Sequence, residues 1–202
     1  MEAVLFLVLG FIGLRLAYDY HRNRKIKQAE EAFRLNLNNL FNGMKEFSPA
    51  GATQLRADSA IAIDVARAKL CIVRAEWGKA LTEKIWNRDQ ILRVDLVENK
   101  QFVRRTSTDR GSQILGASIG NLLMGRTGAV IGGLSGDRVT KGEDAVYQMD
   151  LVIAVKDFAE PIQIVSFLGT EERCRKDSPR YRDLSLAASQ WHARVSQLIK
   201  AC

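Results

Sequence analysis

The chain is expected to fold as an α+β protein: a small antiparallel β-sandwich or barrel capped by a carboxyl-terminal α-helix. An amino-terminal transmembrane helix and a glycine-rich helical insert complete that expectation. Three observations carry it. Short runs of strand-forming residues, punctuated by turn signals, follow one another from Ser59 onward. Residues 178–200 carry one apolar seam at helical spacing. Two stretches are far more apolar than the rest, residues 3–14 and the glycine-rich residues 111–137.

The first element is the amino-terminal run "MEAVLFLVLGFIGLRLAYDYHRNRKIK". Ala3 to Leu14 contains no charge, and the run extends to Tyr18 if Arg15 snorkels toward headgroups. A spanning helix wants ~20 residues with a lower limit of ~17, so residues 1–18 are short but sufficient. Glu2 precedes the run and no small-residue cleavage pattern follows it, so an uncleaved anchor is expected rather than a signal peptide. Arg15, Arg22, Arg24, Lys25 and Lys27 follow against the single acid Asp19. That asymmetry puts everything beyond ~20 on the cytoplasmic side of the inner membrane, in a single-pass arrangement. The same five residues are the candidate contacts to anionic lipid. The alternative is an apolar helix buried in a partner or packed on its own domain.

Residues 1–20 are thus expected as anchor and 21–53 as an amphipathic stalk helix with its closing turn, leaving 54–202 for the β domain. Ala29, Phe33, Leu37, Leu40, Phe41 and Met44 recur at three- and four-residue steps. Gly43 and the turn chemistry of "FSPAGAT" (47–53) end that pattern. A stalk, a dimerising helix and a helix docked on its own domain all remain open at this point.

In the β domain, residues 59–65 and 69–75 read as a hairpin around a tight turn, and "KIW" (84–86) as a further strand. Residues 89–99 form the next strand, with a bulge near Arg93 where the alternation slips. A turn at Glu98–Asn99–Lys100 sends 99–105 back along it, and 145–157 and 161–169 complete the set. In the final helix Ser178 is the cap and Pro179 the first helical position. Tyr181, Leu184, Ala188, Trp191, Val195 and Leu198 make its seam, which is wide enough to cover one open end of a barrel.

Seven strands followed by one capping helix with a tryptophan on its buried face resemble a pleckstrin-homology-like domain. The resemblance runs from Ser59 to Lys200, about two thirds of the chain. Together with the anchor and a glycine-zipper insert over 106–142, the layout is similar to small bacterial membrane and prophage proteins. What that implies is a binding or scaffolding module, since the fold usually carries no catalysis. Lipid-headgroup families place a basic motif in the first hairpin loop. Here that loop offers only Arg67 and Lys69 around Ala68, too little for phosphoinositide recognition.

The glycine-rich stretch "GSQILGASIGNLLMGRTGAVIGGLSGD" (111–137) admits three readings. Residues 120–127 nearly match a phosphate loop, but Arg126 stands where a lysine is needed and Leu122, Leu123 and Met124 would face phosphate. A glycine zipper fits better, because Gly116, Gly120, Gly128, Gly132 and Gly136 fall in pairs four apart and would let two helices approach closely. Membrane contact or self-association would follow. The third reading has the stretch packed within the molecule.

Composition narrows the function. A net charge of +7 points to an anionic neighbour, and an apolar fraction of 47% suffices for a core. The few aromatics are not interleaved with the basic residues, which argues against a nucleic-acid platform. Cys71, Cys174 and Cys202 make neither a disulfide framework nor a metal motif. His21 and His192 have no partner at ligand spacing, and His192 is expected at the surface. No catalytic residue, metal, cofactor or small-molecule substrate is therefore expected. The expected partners are anionic lipid and either a protein or a second copy.

Overall fold

A computed structural model describes residues 2–56, 59–75, 80–107, 144–168 and 172–200. Helix α1 (Glu2–Gly43) is one continuous element. Strands β1 (Gly51–Arg56), β2 (Ser59–Asp64), β3 (Lys69–Ala75) and β4 (Leu81–Asn87) follow it. A 3₁₀ turn (Arg88–Gln90) then leads into β5 (Ile91–Glu98) and β6 (Gln101–Ser107). Beyond the glycine-rich stretch come β7 (Ala145–Val146), β8 (Met149–Val155), β9 (Ile162–Leu168), β10 (Cys174–Arg175) and helix α2 (Pro179–Lys200). The described strands form one antiparallel sheet in the order β1-β2-β3-β4, a second in the order β6-β5-β8-β9, and a short β10-β7 pair. The glycine-rich stretch, and with it Gly116, Gly120, Gly128, Gly132 and Gly136, lies outside the described residues.

Between the two sheets lies the main core. Ile61, Ile63, Leu70, Ile72 and Trp86 face it from the first sheet, and Val94, Leu96, Leu151, Ile153, Val165 and Phe167 from the second. Helix α2 closes it with Ala188, Trp191, Val195, Leu198 and Ile199. Ser178 caps this helix as expected: its hydroxyl accepts the Tyr181 N–H at 3.2 Å. The buried stripe is broader than one seam, however. His192 and Ser196 are buried beside it, which corrects the expectation of an exposed histidine. A helix lying across a barrel mouth is walled on two sides, so residues flanking its seam are covered too.

The first sheet is covered on both faces. Ala60, Ala62, Cys71 and Val73 alternate away from the main core and pack against Phe33, Leu37 and Phe41 of α1. Phe47 closes this second core by stacking on Phe41, with ring centroids 5.9 Å apart. Small side chains on β2 and β3 make the platform shallow, and the phenylalanines fill it. Of the readings left open for residues 27–45, the structure therefore realises docking on the chain's own domain.

Strand β1 is absent from the sequence expectation, which assigned 47–53 to a turn. Its backbone pairs with β2 from Gly51↔Ile63 to Arg56↔Ser59, and this ladder forms without any alternating pattern in "GATQLR". Strand β4 is longer than the expected 84–86 because it pairs with β3 along its whole length, Ala75↔Leu81 to Lys69↔Asn87. The bulge near Arg93 is present as a register shift between Ile91 and Arg93 against β8. The turn at Asn99–Lys100 has positive φ at both residues, 47° and 65°, as a two-residue hairpin of the right twist requires.

Asn99 does more than turn the chain. Its side-chain amide donates to the Ala145 carbonyl at 3.0 Å, and its Oδ1 accepts the Tyr147 N–H at 2.8 Å. The hairpin tip is thereby fastened to the segment entering β8. At the other edge, the Arg74 guanidinium on β3 donates to Gln163 Oε1 at 3.2 Å and to the Ile164 carbonyl at 3.3 Å on β9, joining the two sheets.

Candidate functional site

Two surfaces bear the residues singled out by sequence, and both are positioned by α1 and the first sheet. Arg15, Arg22, Arg24, Lys25 and Lys27 all lie on α1, where the side chains of Arg15, Arg24, Lys25 and Lys27 are exposed. At about 100° per residue, Arg24, Lys25 and Lys27 point in three different directions around the axis within about 5 Å of its length. They form a collar, not a stripe. A collar suits a helix that meets a charged surface end-on, whereas a helix lying flat would gather its cations on one side. Tyr18 and Tyr20 are exposed just before it. From Lys27 to the docked Phe33 the rise is about 9 Å, so the collar sits close to the β domain on an unbroken helix.

The second surface is the β2–β3 turn, read from sequence as the first hairpin loop; because β1 pairs antiparallel with β2, it is in fact the second. Its cations are already occupied. Asp64 is 1% exposed and accepts the Ser48 N–H at 2.8 Å, the Arg67 N–H at 3.0 Å and the Arg67 guanidinium at 3.0 Å. Lys69 reaches the Glu46 carbonyl at 3.2 Å. Burial pushes the Asp64 carboxyl up, but the two N–H groups and the guanidinium outweigh it and hold the acid below its ordinary 3.8. Ala68 takes positive φ to close the turn. The turn is thus a structural latch between α1's exit and the first sheet.

Among the described residues, Cys71, Cys174 and His192 are withdrawn from solvent. Burial, with a smaller push from the Glu83 charge, drives the Cys71 thiol up to about 12, where it is a packing residue and no nucleophile. Cys174 is buried in β10 with its sulfur 3.4 Å from the Ser178 hydroxyl. Burial, then the charge of Arg104, lowers the His192 imidazole below 6.5 although its bond to the Val94 backbone works the other way. Among the described residues no group of three or more His, Cys, Asp or Glu side chains is placed to hold a metal. Among them, too, no helix is long and apolar enough to cross a membrane.

Two antiparallel sheets closed by a carboxyl-terminal helix, with an insert between the sixth and seventh strands, define a pleckstrin-homology-like module. Residues 50–169 match the model of the glycine zipper containing PH domain family, and the chain belongs to it. An immunity protein of Bacillus phage SPbeta is 34% identical over 92 residues, covering 42% of this chain and 45% of that protein. The SPbeta prophage-derived membrane protein YomJ of Bacillus subtilis strain 168 is also 34% identical over 92 residues, covering 40% of its own length. The chain thus spans less than half the length of each of these relatives. No solved structure matches it.

Proposed function

We propose that this protein is a membrane-tethered binding module without catalytic chemistry. In this reading the apolar run 3–18 anchors the chain in the inner membrane, and the cationic collar of Arg15, Arg22, Arg24, Lys25 and Lys27 meets anionic headgroups on the cytoplasmic side. The β domain is then offered to a protein partner or to a second copy. One observation supports the reading above the others. The helix carrying run and collar is continuous and is bolted to the β domain through Phe33, Leu37 and Phe41. A rigid link of this kind holds the module at a fixed height, as a scaffold requires and a freely diffusing domain does not. A relative named as a membrane protein is consistent with it.

Fractionation tests the reading. The intact chain should stay in the pellet through an alkaline carbonate wash, and a chain beginning at residue 21 should leave it. Recovery of the intact chain in the detergent-free soluble fraction would overturn the tether.

The relative named as an immunity protein favours a second reading, in which the protein is a phage-exclusion or defence effector. Its zipper would then oligomerise and perturb the bilayer. Gly128→Leu with Gly132→Leu separates the two readings: loss of an effect on membrane potential, with folding intact, belongs to the effector alone.

A further inference from the structure

Helix α2 carries one side chain at odds with an apolar lid. His192 is 6% exposed and sits beside the seam of Trp191 and Val195. Ser196, one turn on, is buried on the same flank and donates its hydroxyl to the His192 carbonyl at 2.6 Å. The imidazole itself holds one bond, to the Val94 backbone of β5, and its Nε2 has no hydrogen-bond partner. Across from it, register sets Arg104 of β6 beside Leu96, whose side chain enters the main core. Arg104 therefore belongs to the face of the sheet on which α2 lies.

The charges acting on this ring are of one sign. Arg104 acts from β6, and Lys200 from two turns further along α2. Arg194, the next cation on the helix, is turned over the Trp191 ring at 5.1 Å. The acids of the elements packed against α2 are placed elsewhere. Asp95 on β5 and Asp150 on β8 alternate with the core residues Val94, Leu96 and Leu151, so they belong to the opposite face, where Asp95 pairs with Arg93 at 2.8 Å. Glu98 is held by Tyr181 and Lys176 at 3.0 and 2.8 Å, with Tyr181 about 16 Å from His192 along the helix axis. Asp89 is exposed beside Arg88 in the 3₁₀ turn, β9 carries no charge, and Arg175 of β10 pairs with Asp177. Among the described residues, then, no carboxylate is set to receive an imidazolium here.

Such a pocket accepts the neutral ring and rejects the charged one. A second proton would give the imidazole a donor at each nitrogen, one of them without an acceptor, and a positive charge facing Arg104. We infer that His192 makes the α2 lid acid-labile: protonation of its ring loosens α2 from β5 and β6 and opens that end of the barrel. A loosened α2 uncovers Trp191, Val195 and Leu198 together with the core beneath them. Mild acid thus turns a closed module into one with an apolar mouth. The sign follows from burial. Because the native state favours the neutral ring, the stability it lends is full above 6.5 and is lost as pH falls through 6.5 toward the lower folded value. The device concerns α2 alone and is independent of the proposed tether and collar.

Hydrogen exchange of the full chain, read as protection factors at about pH 7.5 and about pH 5.5, tests the lid. One unit below 6.5, linkage allows up to about tenfold more of the open state. Protection in residues 188–199 should fall toward that limit, while residues 60–64 and 69–73 change little. His192→Gln should abolish the fall, and Arg104→Gln should reduce it by removing the repulsion. A fall that persists in His192→Gln, or that spreads equally over β2 and β3, would overturn the proposal. A second measurement leaves His192 in place. In a chain carrying His21→Gln, which leaves a single histidine signal, the imidazole should stay neutral by NMR to a lower pH than free histidine. Titration at or above the free value would equally refute the lid.

Discussion

Asp64 shows how much of this fold rests on single polar side chains. It collects three hydrogen bonds from Ser48 and Arg67 while 1% exposed, so its carboxylate ties the exit of α1 to the β2–β3 turn. Because its folded pKa lies below the ordinary 3.8, the native state favours the charged form. The resulting stability is present above that value and is lost as pH falls through 3.8 toward the folded pKa. Asp64→Ala should cost about 1–3 kcal/mol near neutrality, leaving two N–H groups without their acceptor. Urea unfolding from pH 7 to 3 should show the loss of stability shrinking toward acid. An equal penalty at every pH would contradict this account. At the same scale, the sequence marks Asn99 and Ser178 by residue type and position alone, since positive φ and helix capping are local demands. It does not mark His192 as buried, because that depends on which walls surround α2.

At the scale of elements, the docking of α1 decides what kind of helix it is. Phe33, Leu37 and Phe41 repeat at four-residue steps, a pattern that serves a dimer seam as well as an intramolecular contact. What selects between them is the floor opposite, the alanines and Cys71 of β2 and β3. Phe41→Ala should destabilise the protein by about 3 kcal/mol, because it empties the ring that stacks on Phe47. Hydrogen exchange should then quicken selectively in residues 30–43 and 60–73. Uniform quickening, or none, would argue against a separate second core. Strand β1 illustrates the opposite limit. Its residues carry no pleated pattern, and only the free edge of β2 makes them a strand.

For the whole molecule, α1 couples an apolar run, a cationic collar and a β domain along one rigid axis. In the tethered reading, neutralising Arg24, Lys25 and Lys27 together with glutamine should weaken binding to vesicles containing phosphatidylserine by about 3 kcal/mol, near 1 kcal/mol per cation. Co-sedimentation at low and high salt would measure it. Loss of the salt dependence, with the β domain intact, is the expected signature. If affinity is unchanged, the collar has no electrostatic role at a membrane.

Sequence by itself determined the order of β2 to β6, of the later strands at 145–157 and 161–169 and of the final helix, together with that helix's cap, the hairpin at Asn99–Lys100 and the family resemblance. Each of these is set by local periodicity, turn chemistry or a short-range cap, and such signals survive without a partner. Only the tertiary structure decided where the two-sided faces go. Residues 59–64 and 69–75 are buried on both sides, so their hydrophobicity cannot say which face meets the main core and which meets α1. In the same way the loop cations Arg67 and Lys69 look free in one dimension and are engaged in three. Burial and ion pairing are properties of surroundings, and surroundings come from distant parts of the chain.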